Sequence, residues 1–100
     1  MNHHETWDEA IGINGVSIQS VVCMEELSEL IQAISKRLRG ELDLDDNLAE
    51  EMADVTISLY QLQRMYDIKD EDIHAWIDRK TERQRRRNSL RLRALGREDG

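Results

Sequence analysis

Residues 23–38, Cys23-Met24-Glu25-Glu26-Leu27-Ser28-Glu29-Leu30-Ile31-Gln32-Ala33-Ile34-Ser35-Lys36-Arg37-Leu38, decide the fold. Cys23, Leu27, Leu30, Ile31, Ile34 and Leu38 recur three and four apart, the period of one face of an α-helix. A second stretch repeats the rhythm with Leu48, Met52, Val55, Leu59, Leu62 and Tyr66. Each stripe reads as a core face, and at ~0.8 kcal/mol per buried methylene the two are the main source of stability.

Outward from these stripes, four helices are expected. The first covers about Glu5–Ile11 and ends in the turn signal Asn14-Gly15. The second starts at Ser17 as N-cap and runs to Leu38, with Gly40 placed for a left-handed C-terminal residue. Lys36, Arg37 and Arg39 then suit the negative end of its dipole. The third begins at Asp45 or Asp46 and reaches Tyr66. The fourth begins at Asp70, with Glu71 and Asp72 in its first turn, and runs at least to Arg87. Beyond it, Asn88-Ser89 is a weak interruption and Gly96 a stop, so residues 88–100 either extend the helix or fray. Connections of about five to eight residues suit antiparallel neighbours. The expected fold is all-α, a four-helix antiparallel bundle, with residues 1–87 as one domain and 88–100 as a basic extension.

Composition agrees. The 100 residues include no proline and only five glycines, too few turn formers for an all-β domain. With 39% apolar and 35% charged residues, the chain can bury a core and is not a disordered acidic tail. No apolar run is long enough to span a membrane, and no basic-then-apolar leader opens the chain. Cys23 is the single cysteine, which excludes an intramolecular disulfide and a cysteine-based zinc site. The cytoplasm is the expected compartment. Charge is uneven: residues 1–78 carry 5 basic and 18 acidic side chains, whereas residues 79–97 carry 9 basic ones and the single acid Glu82.

The informative feature is a repeat. Glu25-Glu26-Leu27-Ser28-Glu29-Leu30 and Glu50-Glu51-Met52-Ala53-Asp54-Val55 match as acid-acid-apolar-small-acid-apolar. At 100° per residue, Glu26 lies about 100° and Glu29 about 160° to one side of Leu27, and Glu51 and Asp54 stand likewise to Met52. One such pair is ordinarily a solvated face. Two in the same register, with no lysine among them and with Val22, Ala33, Ser58 and Met65 on the same side, are not. Small Ser28 and Ala53 would permit close helix approach. If the two helices pack antiparallel on these faces, four carboxylates converge, and such a cluster needs a cation. Oxygen-only ligands indicate Mg²⁺, with Mn²⁺ as substitute, rather than zinc. Mg²⁺ held by carboxylates completes its shell with water and phosphates, which leads to phosphoanhydride chemistry. An acid not committed to metal, Glu25 or Glu50, is the natural general base.

Glu26-x-x-Glu29 followed by Glu51-x-x-Asp54 resembles the ExxE…ExxD signature of the MazG-like nucleoside triphosphate pyrophosphohydrolases, of the all-α NTP pyrophosphatase superfamily. The likeness extends through residues 24–36, residues 48–55 and Lys80-x-x-Arg83. The resemblance implies a helical unit that forms homodimers or homotetramers. It implies hydrolysis of a ribo- or deoxyribonucleoside triphosphate to monophosphate and pyrophosphate with Mg²⁺. Carried over by position, Glu26, Glu29, Glu51 and Asp54 are metal ligands, and Glu25, counted with Glu26 as catalytic, orients or deprotonates water. Lys36, Lys80 and Arg83 match phosphate-binding positions, and Gln19 and Trp7 lie where base or sugar is contacted. The Arg-rich end after Arg83 departs from the usual pattern.

The alternative is a non-catalytic helical adaptor whose basic end binds nucleic acid or an acidic partner. Arg85, Arg86, Arg87, Arg91, Arg93 and Arg97 supply the charge for phosphate contacts. No aromatic interleaves them, and a helix end pairing with an acidic neighbouring subunit is the favoured reading. Trp76 reads as a core or interface anchor. His3, His4 and His74 lack metal-ligand spacing and read as surface residues, and Cys23 reads as a small core residue. No nucleophile triad or glycine-rich phosphate loop is present.

Overall fold

A computed structural model describes residues 2–41 and 47–96. All its regular elements are helices, and no strand occurs among the described residues: α1 His3–Asn14, α2 Val16–Leu38, α3 Asn47–Met65 and α4 Asp70–Ala94. None is long and apolar enough to cross a membrane. The chain divides into two compact units, Met1–Asp67 and Ile68–Gly100.

In the first unit α1, α2 and α3 pack together. Asn2 caps α1, its side-chain oxygen accepting the Glu5 N–H at 2.9 Å. The helix is longer than expected and continues through Gly12 to Asn14. The turn to α2 is a single residue. Gly15 adopts φ 83° and ψ 163°, donates its N–H to the Ile11 carbonyl at 2.8 Å and accepts the Gln19 N–H at 3.0 Å. Gly15 therefore stands at the cap position expected for Ser17, because only a residue without Cβ reaches this backbone region cheaply. Gly40 is left-handed at φ 76°, as its position after α2 requires. The expected caps of α3, Asp45 and Asp46, lie outside the described residues.

Helices α2 and α3 run antiparallel, because their cross-pairings proceed in opposite order. Gln19 meets Gln61 at 2.9 Å, and Cys23 Sγ approaches the Ser58 carbonyl at 3.8 Å. Further along, Glu26 lies beside Asp54 and Glu29 beside Glu51. The seam between them is polar and small: its buried residues are Gln19, Cys23 and Ala33 on α2, and Glu51, Ser58 and Gln61 on α3. This corrects the core expected from the stripes. Cys23 is fully buried, but Ile31 is 68% and Leu38 84% exposed, and Met52, Leu59 and Tyr66 are more than half exposed. Each apolar stripe lies to one side of the seam, so only its edge is covered. Ser28 and Ala53, expected at a close approach, are both exposed; Cys23, Ala33 and Ser58 are the small residues of the seam.

Helix α1 docks through polar groups. Tyr60 donates its hydroxyl to Asp8 at 3.1 Å, and Arg64 Nε holds the same carboxylate at 3.2 Å. His4 stacks on Tyr60 with ring centroids 4.4 Å apart, and Trp7 meets Tyr60 edge-on at 5.3 Å. His3 also stacks against Trp7, at 6.1 Å. The two histidines are solvent-exposed as expected, yet they belong to this aromatic cluster.

The second unit contains α4. It starts after Lys69, with Asp70, Glu71 and Asp72 in its first turn and Arg91 and Arg93 in its last, complementing the helix dipole at both ends. Asn88-Ser89 does not interrupt it, and Gly96 at φ 72° follows its end.

The Gly15 turn yields a stability prediction. An added Cβ at Gly15 or Gly12 meets nothing within 4 Å, so only the backbone distinguishes them. Gly15→Ala should destabilise the fold by about 1–3 kcal/mol, whereas Gly12→Ala, within α1, should stabilise it by about 0.5–1 kcal/mol. Urea denaturation of both variants checks the contrast.

Candidate metal centre

The α2–α3 seam brings together the four acids of the duplicated motif. One oxygen each from Glu26, Glu29, Glu51 and Asp54 lies within 4.8 Å of all the others. Two come from each helix, three residues apart, so each pair projects from one helix surface toward the other. Glu51 is only 8% exposed, and Glu26 and Asp54 are half-buried.

This is an unfavourable arrangement for bare carboxylates. Burial, then contact with Asp54, then the charges of Asp54, Glu29 and Glu51 raise the Glu26 pKa from 4.5 to about 7. Burial, then the neighbouring Glu29 and Asp54 charges, raise Glu51 as well. Carboxyl groups meet across the seam in the pairs Glu26–Asp54 and Glu51–Glu29. No lysine or arginine pairs with the cluster in any ion pair seen among the described residues.

The donor set fits a hard divalent cation. Glu26 Oε2 and Glu51 Oε2 are both buried without a hydrogen-bond partner, and an unsatisfied buried polar atom is costly. All four donors are carboxylate oxygens, the chemistry of Mg²⁺, Mn²⁺ or Ca²⁺ sites rather than zinc. Four oxygens within 4.8 Å of one another span little more than the ~4.2 Å between opposite oxygens of an octahedral Mg²⁺ shell.

The other residues singled out from the sequence are placed as follows. Glu25 and Glu50, next to the ligands on α2 and α3, are exposed. Lys36 is exposed in the last turn of α2. Gln19 is 4% exposed, and both ends of its amide are engaged: the oxygen accepts from Asn14 Nδ2 at 2.8 Å and the nitrogen donates to Gln61. It sits seven residues, roughly 10 Å along the helix, from Glu26. Gln61 in turn donates to the Trp7 carbonyl at 3.0 Å. Gln19 and Trp7 thus belong to a structural relay joining α1, α2 and α3. Sequence reasoning missed Gln61 and Tyr60, the partners that complete this relay; their spacing on α3 carried no distinctive pattern.

Lys80 and Arg83 lie on α4, in the second unit. Lys80 Nζ is 5.9 Å and Arg79 Cζ 4.9 Å from the Trp76 ring, and these residues line a shallow concavity with Arg83 and Arg86. Trp76 is 56% exposed and thus is not a core anchor within this unit. Arg85 forms a close two-pronged pair with Glu82, at 2.6 and 3.0 Å, which lowers the Glu82 pKa. Arg97 lies outside the described residues.

The raised Glu26 pKa fixes the sign of a pH effect. Between 4.5 and about 7 the folded, metal-free chain holds a proton that the unfolded chain has lost. The stability contributed by this group is therefore full below 4.5 and is lost as pH rises through 7. Melting of metal-free protein should shift to lower temperature between about pH 5 and 7.5, and Mn²⁺ or Mg²⁺ should restore it far more at the upper pH. Glu51→Gln should melt higher than the unsubstituted chain in chelator at pH 7.5 and gain nothing from the cation.

No protein-family model, curated protein or solved structure matches this chain.

Proposed function

We propose that this chain is a cytoplasmic, Mg²⁺-dependent nucleoside triphosphate pyrophosphohydrolase of the MazG-like type, working as a homodimer or homotetramer. The observation that carries the reading is the four-carboxylate cluster with two buried, unpartnered oxygens. The signature resemblance adds the substrate class.

Glu26, Glu29, Glu51 and Asp54 would hold the cation. The chemistry supplied by Mg²⁺, or by Mn²⁺ in its place, is polarisation of phosphoryl oxygens and activation of water. Two cross-helix pairs of carboxylates fix the position of that charge, because each rises from a regular helix rather than a loop. Glu25, exposed and adjacent in sequence to Glu26, orients the attacking water and accepts its proton. Lys36, exposed in the last turn of α2, is a phosphate-binding cation in this reading. Attack between the α and β phosphates yields a nucleoside monophosphate and pyrophosphate. Gln19 is left out of the substrate contacts, since its amide is engaged within the fold.

Pyrophosphate release from a panel of ribo- and deoxyribonucleoside triphosphates tests the proposal. Release should require Mg²⁺ or Mn²⁺ and vanish in chelator. Asp54→Ala should lower turnover by at least about 100-fold while the helical circular dichroism survives. Unchanged turnover in that variant refutes the assignment.

A second reading draws on α4, where Arg79, Lys80, Arg83, Arg86, Arg87 and Arg91 fall within an arc of about 140° on the helix. That face suits a linear array of phosphates. Replacing Arg86, Arg87 and Arg91 together by Ala separates the two readings: the hydrolase keeps most of its activity, whereas a nucleic-acid binder loses affinity and salt dependence.

A further inference from the structure

Trp76 stands exposed at the head of the basic face of α4. The indole is 56% exposed, and two cations hold it: Arg79 Cζ lies 4.9 Å and Lys80 Nζ 5.9 Å from the ring centroid. The ring, these two cations, Arg83 and Arg86 line one concavity of about 570 Å³, within the size range of ligand sites. Asp78 and Glu82 border it on a single flank, about 120° or more round the helix from Trp76. Glu82 is already paired with Arg85.

Helix geometry places the indole on the axis of the basic face. At 100° per residue, Trp76 lies within about 10° of the midline of the arc from Arg86 to Arg91. Arg79 and Lys80 follow roughly 5 Å further along the helix, Arg83 roughly 10 Å, Arg86 and Arg87 roughly 16 Å, and Arg91 roughly 22 Å. None of these six cations forms an ion pair among the described residues. In the other direction the charge reverses, because Asp70, Glu71 and Asp72 occupy the first turn. A row of phosphates is therefore accepted only on the C-terminal side of the indole.

We infer that this face binds single-stranded nucleic acid, with an unpaired base stacked on Trp76 and the adjoining phosphates running along α4 toward Arg91. The inference rests on the second reading above, that α4 contacts phosphates, and names the form of its ligand. Two features select that form. A duplex keeps its bases stacked on one another, so an indole on the midline of the contact face would meet no base and would hold the cations off the backbone. An unpaired base offers its π-face, and stacking on an aromatic ring beside arginine holds single strands with little regard to sequence. The length of the array then favours a strand over a free nucleotide. The phosphates of one nucleoside triphosphate reach only the nearest cations, whereas Arg86, Arg87 and Arg91 need phosphates further along a chain.

Fluorescence anisotropy of a labelled oligothymidylate of about ten residues, with the full chain in chelator, tests this. The single strand should bind at least about 10-fold more tightly than a duplex of equal length. A nucleoside triphosphate at equal phosphate concentration should not displace it. Trp76→Leu should weaken binding roughly 5- to 100-fold at an unchanged salt slope, and Trp76→Phe should restore most of the affinity. Replacing Arg86, Arg87 and Arg91 by Ala should instead lower the slope of log affinity against log salt by about 2. Equal affinity for the duplex overturns the inference, as does a Trp76→Leu variant that binds like the unsubstituted chain. Either result leaves the second reading standing provided that the arginine variant binds weakly. Displacement by the triphosphate overturns the inference in favour of a free-nucleotide site, and no binding of strand or duplex overturns both.

Discussion

Mutual repulsion of four carboxylates across the α2–α3 seam is the constraint on which the rest of the structure depends. A helix pair usually closes on interdigitated apolar side chains. This one closes on Gln19, Cys23, Ala33, Glu51, Ser58 and Gln61, with Glu26 and Asp54 at its edge. Small and polar residues let the backbones approach, and the approach is what compresses the acids into one cluster. The cost is visible in the Glu26 pKa, raised to about 7, and in two buried oxygens without partners. A fold that keeps such a cluster holds four oxygen donors together at a cost in stability.

The same constraint accounts for the apolar stripes. Because the seam is given over to polar groups, Ile31, Ile34 and Leu38 cannot be buried within the pair and are displaced to one side, as are Met52 and Leu59. The helix pair therefore has two chemically distinct sides. One gathers charge, and the other presents apolar surface. The α1 helix braces the end distant from the acids through the Asn14–Gln19–Gln61 relay and the Tyr60–Asp8–Arg64 group, leaving both sides free.

Much of this was legible in the sequence. The 3–4 rhythm located α2 and α3, the acidic first turn located α4, and the duplicated hexapeptide identified the acids that converge. The register of Glu26 and Glu29 to Leu27 was readable because a helix fixes angles from sequence alone. What periodicity cannot supply is the direction in which an apolar stripe faces. A stripe about 200° wide, such as that from Val22 through Met24, has two edges, and tertiary pairing chose the edge holding Cys23 and Ala33. For the same reason Ser28 and Ala53 were read as contact residues although they face solvent. The Gly15 turn was hidden by Ser17, a better cap by composition, because the ψ that favours Gly15 is a property of the α1–α2 junction. Gln19 looked available for a ligand until Asn14 and Gln61, 5 and 42 residues away, were seen to occupy its amide.

The central claim is that the cluster exchanges protons for a divalent cation, and proton release measures this directly. Metal-free protein held near pH 6.5 in a pH-stat would be titrated with Mn²⁺. Saturable binding that expels about one proton per ion, and expels far fewer near pH 8.5, is the predicted result. Binding with no proton release at either pH, or no binding by the folded protein at millimolar Mn²⁺, would contradict it.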